Sequence, residues 1–280
     1  MSEYYCLVAG LPDIVFDGSK VNFSIERFKD EVYSGLTKED ASKMDLFFYA
    51  WDNENIMDIL RHGNDADLSR TGRFSGEELA ELISAVKCGD TRTADYPAYM
   101  YDFLEFYFEN EGREGVMFED VLAAHYYNYA VGCGNEFLSK WFAFNRTLNN
   151  LQVAFVARKF KLNMADCIVG DDEISETIRT SSARDFDLSG EIDYLETVQR
   201  LCEMDKLQER ERQFDELRWN WLDENSVFKY FSMERLYVFL QKLDIVMRWA
   251  KLDAETGMAR YKELIEGLKS GLTINDEDYQ

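Results

Sequence analysis

Thr37-Lys38-Glu39-Asp40-Ala41-Ser42-Lys43-Met44-Asp45-Leu46-Phe47-Phe48-Tyr49-Ala50-Trp51-Asp52-Asn53-Glu54-Asn55-Ile56-Met57-Asp58-Ile59-Leu60 decides the fold class. Thr37 reads as an N-cap, whose hydroxyl accepts an orphan amide, and Glu39 and Asp40 complement the helix dipole. Met44, Phe47, Phe48 and Trp51 then recur at three- and four-residue spacing, and Ile56, Ile59 and Leu60 continue on one side. His62-Gly63-Asn64-Asp65 is a stop, and the stretch to Phe74 reads as loop. Ser75-Gly76-Glu77-Glu78 is a capping box, followed by the apolar stripe Leu79, Leu82, Ile83 and Val86.

The same pattern extends in both directions. Tyr4–Leu11 reads as a short helix stopped by Pro12, and Ser24 caps a helix through about Tyr33. Further helices are expected at roughly 96–109, 118–129, 135–161, 172–179, 192–204, 208–223 and 232–252. Asp253 is expected to cap a last one, ending at Gly271 before an acidic tail at 273–280. Gly132-Cys133-Gly134 is the clearest internal break. The expected architecture is all-α: one domain of about a dozen helices over residues 1–280, divisible into lobes 1–131 and 135–272.

Composition agrees and excludes several function classes. Two prolines in 280 residues favour long helices over a turn-rich β fold. Bases number 12 against 27 acids in residues 1–140 and 19 against 27 in 141–280, so neither half offers the basic surface that a nucleic acid requires. The five cysteines are scattered and form no CxxC pair, which fits thiols in a reducing compartment. No apolar run approaches the roughly 20 residues that span a bilayer, and the amino terminus lacks the basic start of a signal peptide. A cytoplasmic protein, at most peripheral to the inner membrane, is the expectation.

Chemistry is sparse in the pattern. Asp185, Asp187, Ser189, Asp193 and Glu196 place oxygen ligands at positions 1, 3, 5, 9 and 12 of a twelve-residue loop, with Gly190 at 6, Glu191 at 7 and the aliphatic Ile192 at 8, as an EF-hand calcium loop requires. Three features oppose that reading: Leu188 sits inside the turn, the incoming segment lacks apolar anchors, and there is no second loop to pair with. Helix capping by these acids is therefore expected, and no metal. Gly170-Asp171-Asp172-Glu173 reads as an acidic helix start for the same reason. His62 and His125 stand far apart without ligand spacing, and neither HExxH, a Walker loop nor GxGxxG occurs. No cofactor and no catalytic residue is expected. The aromatics of Tyr96–Phe108 and Tyr126-Tyr127-Tyr129 are assigned to the core.

Two stretches together carry a family resemblance. Trp51-Asp52-Asn53-Glu54-Asn55-Ile56-Met57-Asp58-Ile59-Leu60-Arg61, with Gly72 and the capping box, is similar to the repeat of the C-type subunit of V/A-type ATPases, the d subunit of eukaryotes. Phe231–Trp249, with Tyr237, Leu240, Ile245, Arg248 and Trp249, resembles that family's late helix. Asn150-Leu151 with Ala157-Arg158 resembles a degraded second copy whose register is off by two. Over its whole length, from Tyr4–Pro12 through Ala183-Arg184-Asp185-Phe186 to Arg248-Trp249, the chain resembles more closely a bacterial family of unknown function encoded beside V-type ATPase subunits. The resemblance implies a non-enzymatic coupling role, in which an all-helical body links the central stalk to the membrane rotor ring. It also implies the other ATPase subunits as partners, and fold-organising or partner contacts for Asp52, Asn55, Arg61, Arg248 and Trp249. The chain is shorter than a typical C-type subunit and has one clear repeat where that family has three. The competing readings are a metal-dependent all-α enzyme with an acidic cleft around Asp171, Asp172 and the Asp185–Glu196 loop, or an all-α protein-interaction scaffold.

Overall fold

The structure, a computed structural model, describes residues 4–16, 22–66, 68, 70–164 and 167–272; at Asn64 and along 253–272 it describes the backbone alone. The described residues are all-α, with eleven α-helices and no strand. In chain order these are α1 (Tyr5–Ala9), α2 (Ile25–Val32), α3 (Lys38–His62), α4 (Gly76–Cys88), α5 (Ala98–Glu109), α6 (Phe118–Val131), α7 (Glu136–Phe160), α8 (Glu173–Thr180), α9 (Leu195–Cys202), α10 (Leu207–Asn225) and α11 (Met233–Leu272). They divide into two compact units, one of residues 1–36 with 228–280 and one of residues 37–227. The acidic tail at 273–280 lies outside the described residues.

Local chemistry sets most helix starts where the sequence places them. The hydroxyls of Ser24 and Thr37 accept from the amides of Arg27 and Asp40, each at 3.1 Å. The Ser75–Glu78 capping box is complete, with Ser75 N donating to Glu78 at 2.8 Å and Glu78 N donating to Ser75 at 3.2 Å. Asn135 and Asp172 cap α7 and α8 in the same way. One expectation fails: α11 runs without interruption from Met233 to Leu272, through Asp253. An aspartate inside a helix costs well under about 1 kcal/mol, and the residues just before it include no glycine or proline to end the helix.

In the first unit α1 and α2 pack against α11. Phe28, fully buried, stacks on Phe239 at 5.9 Å, and Phe23 meets the same ring edge-on at 5.5 Å. The amide of Tyr4 donates to the carbonyl of Phe231 at 2.6 Å, tying the start of α1 to the approach to α11.

The second unit holds two groups of helices, each led by a long one. A 25-residue helix, α3, leads into α4, α5 and α6, each packed on the one before, and α6 returns to α3. A second 25-residue helix, α7, packs on α6, leads into α8, α9 and α10, and receives α10 back. Gly132-Cys133-Gly134 lies between these two groups. The first is held by rings: Tyr49 stacks on Phe74 at 6.0 Å, and Tyr126 meets Tyr99 at 5.9 Å and Phe142 at 5.7 Å. Two of the phenol hydroxyls are paired within this group. Tyr99 donates to Asn53 Oδ1 and Tyr126 to the Leu46 carbonyl, both at 2.8 Å. Trp221 of α10 plays the corresponding part in the second group, against Phe144 and Trp141 of α7 at 5.3 Å.

Candidate functional site

The segment Trp51–Arg61 presents two faces with different work. On one, the Asp52 carboxylate is fully buried, which is costly unless its oxygens are satisfied. It accepts from the backbone amides of Arg73 at 3.0 Å and Phe74 at 3.2 Å. One turn further, Asn55 Nδ2 donates to the carbonyl of Arg70 at 3.0 Å. Arg73 also reaches Asp45 at 3.2 Å, and Arg70 lies over the Trp51 ring at 5.3 Å. The loop entering α4 is thus clamped along two turns of α3. Gly72 is required for it, since a β-carbon there would stand 1.9 Å from Asp52 Oδ1. Asp52, Asn55 and Gly72, which the sequence singled out together, meet in one place.

The other face lines a cleft of about 460 Å³. Asn53, Glu54, Met57, Asp58 and Arg61 form one wall, Glu119, Leu122, Tyr126 and Tyr127 of α6 the other, and Asn149 of α7 the end. Arg61, about half-exposed, forms an ion pair with Glu119 across the mouth. Asn149 Nδ2 donates to the Tyr127 hydroxyl at 2.9 Å and its Oδ1 accepts from Arg218. Arg218 divides its guanidinium among Asn145, Asn149 and Asp215, and burial lowers its pKa. Beside Glu119, burial raises the Asp120 carboxyl above the usual carboxylate range.

A second clamp stands on α7, at Asn150. Asn150 exchanges two hydrogen bonds with the Val169 backbone, donating to its carbonyl at 2.7 Å and accepting from its amide at 2.9 Å. Ser175 joins it, and Arg146 pairs with Asp172 at 2.7 Å. Gly170 has φ 101°, and a β-carbon on it would stand 3.0 Å from Arg146 Cδ. Both clamps therefore use a polar residue deep on the long helix, a glycine in close approach and a capped helix after it. Arg158, which the sequence groups with Asn150, instead donates to the carbonyls of Ser181, Ala183 and Arg184 and covers the Phe186 ring at 3.6 Å.

That last contact explains the loop with the calcium-like spacing. Phe186, Leu188, Ile192 and Leu195 are its buried residues, so the hydrophobic set at loop positions 2, 4, 8 and 11 governs its shape. The left-handed residues are Phe186 and Asp187, at φ 55° and 63°, whereas Gly190 at position 6 is not left-handed. Asp185 accepts from the Ser189 hydroxyl and the Asp187 amide, which hold its carboxyl below the usual range, and Asp187 accepts from Ser181 at 2.7 Å. Glu191, Asp193 and Glu196 face solvent. Asp172 caps α8 and neutralises Arg146, while Asp171 is exposed. No group of three or more His, Cys, Asp or Glu suited to a metal ion occurs among the described residues. Arg248 and Trp249 belong to the first unit, where Trp249 is buried and the exposed Arg248 lies 5.8 Å from its ring.

Two outcomes follow from this geometry. Gly72→Ala should destabilise the protein by roughly 2–4 kcal/mol in denaturant melts. Asp52→Ala should cost about 1–3 kcal/mol for each stranded amide. The double variant should lose clearly less than the two together, because the truncated carboxylate leaves room for the new methyl. Additive losses would mean that the two sites do not meet. Asp120→Asn tests the electrostatics. A carboxyl raised in the folded state favours its protonated form, so its penalty is absent below the unfolded pKa of about 3.9, grows as pH rises from there and is fully present above the folded value. The variant should melt higher than the parent at pH 7 and lose that advantage by about pH 4.

Comparison with known proteins supplies a family without an activity. No curated protein and no solved structure matches the chain. Residues 1–272 match the family described as "Protein of unknown function (DUF2764)". With nearly its whole length covered, the chain belongs to that family.

Proposed function

We propose that this chain is a non-catalytic coupling component of a V-type ATPase or ATP synthase, linking central stalk and membrane rotor ring in the manner of the C-type subunit. The observation that carries the reading is the use of Asp52, Asn55 and Gly72. The residues through which the sequence resembles the C-type repeat are committed to one clamp between a long helix and the next helix start. A second clamp at Asn150 follows the same plan, as expected of a body assembled from repeats. A rotor adapter carries load between two partners, and closely packed aromatic helices with pinned loops suit that task better than hinged ones. The charge of −23 favours docking on the basic cytoplasmic loops of a membrane ring, which calls for a peripheral position on the cytoplasmic face. Among the described residues no helix is long and apolar enough to cross a membrane.

Affinity purification of the tagged full-length chain from its native cell in mild detergent tests the reading. Stalk and ring subunits of the ATPase should co-purify, and their recovery should fall as salt rises from about 50 to 500 mM through screening. Recovery of no ATPase subunit would overturn it. Recovery that ignores salt would remove charge as the means of docking.

A further inference from the structure

The acids of this chain are unevenly spread, and the exception coincides with an exposed apolar surface. Residues 137–165 contain no Asp or Glu, the longest such run in a chain with 54 acids, and they carry Lys140, Arg146, Arg158, Lys159 and Lys161. The run covers most of α7. At its carboxyl end Val153, Val156 and Phe160 recur at i, i+3 and i+7, yet they are 38, 39 and 65% exposed, and Leu162 just beyond is 59% exposed. A helical stripe of this kind is normally buried. Here Val153, Val156 and Leu162 line a groove of about 260 Å³ that continues over Ala157, Cys167, Cys202 and Phe214 to Arg210 and Glu211 of α10.

The floor is apolar in character: Phe214 is buried, and burial pushes the Cys202 thiol up to about 11, so it stays protonated. Four charged groups act on that thiol, Lys159 and Arg210 against Glu203 and Glu211, and Arg210 is paired with Glu211 at 3.5 Å. Lys159 and Lys161 are both exposed beside the stripe.

We propose that this groove receives an amphipathic helix of a partner protein, one with an apolar stripe and acidic flanks. A concave apolar floor bordered by a helical stripe takes a helix at i, i+3, i+4 and i+7, and the lysines select its flanking charge. The overall charge does not forbid an acidic partner, because charges beyond a Debye length of about 8 Å are largely screened at physiological salt. The local groups then decide: Lys159 and Lys161 are exposed on the α7 side, and across the groove Glu211 is held by Arg210, leaving Glu203 as the nearby acid. An anionic bilayer is disfavoured by the same reasoning, since it presents a negative plane to the acidic remainder of the facing surface as well. The proposal does not depend on the ATPase reading.

Fluorescence anisotropy with two synthetic helices of about 18 residues tests it. Both carry Leu at i, i+3, i+4 and i+7, one with Glu and one with Lys at the flanking positions. The Glu helix should bind the full chain at least about tenfold more tightly than the Lys helix. Lys159→Glu with Lys161→Glu should abolish that preference, and Val156→Ser with Phe160→Ala should weaken the Glu helix by about tenfold or more. All four side chains are exposed, and an unchanged circular dichroism melt confirms that each variant is folded. Equal binding of the two helices, no binding of either, or affinities unchanged in both variants would overturn the proposal. So would co-sedimentation with phosphatidylserine vesicles by a protein that binds neither helix.

Discussion

A fully buried carboxylate is stable only where the fold brings donors to it, and Asp52 obtains them from the backbone of the loop entering α4. That requirement fixes much around it. The amides of Arg73 and Phe74 must lie against α3, which forces Gly72 into contact with the acid and brings the Phe74 ring onto Tyr49. Tyr49 and Phe74 begin the chain of rings through which α5 and α6 pack on α3. The carboxylate does not replace hydrophobic burial as the source of stability. It selects one register of loop on helix among the many that burial alone would tolerate.

The second group of helices solves the same problem with other residues. Asn150 takes the place of the buried acid and pairs with both backbone groups of Val169, so the loop is gripped without a charge. Arg146 adds the ion pair to Asp172 that fixes the start of α8. The two clamps thus share an arrangement while using different chemistry. Asn55 and Asn150 both donate to a carbonyl of the loop that follows, whereas Arg61 and Arg158 stand at different spacings from them and bind different partners.

The helices were legible because capping and apolar periodicity are local signals: Ser24, Thr37, Ser75, Asn135 and Asp172 all cap as their sequence context predicts. The Asp185–Glu196 loop shows the limit of such signals. Its oxygen ligands fit a calcium pattern position by position, but the structure follows its apolar residues, with Phe186 drawn beneath Arg158 by a contact 28 residues distant in sequence. In a chain this rich in acid, carboxylate spacing carries little information against hydrophobic burial. The clamp at Asn150 and the cluster around Arg218 were illegible for a related reason, as their partners are backbone atoms or residues about 70 positions away. Asp253 misled because a capping residue type was present without an end to the helix before it.

The central claim is that the Asp52 carboxylate holds the loop, so the most direct measurement is native-state hydrogen exchange at the amides it accepts from. Arg73 and Phe74 should exchange as slowly as the amides in the middle of α3, and Asp52→Asn should raise their rates while leaving those of α7 nearly unchanged. Rapid exchange at Arg73 and Phe74 in the unaltered protein, on the timescale of an exposed loop, would contradict the account.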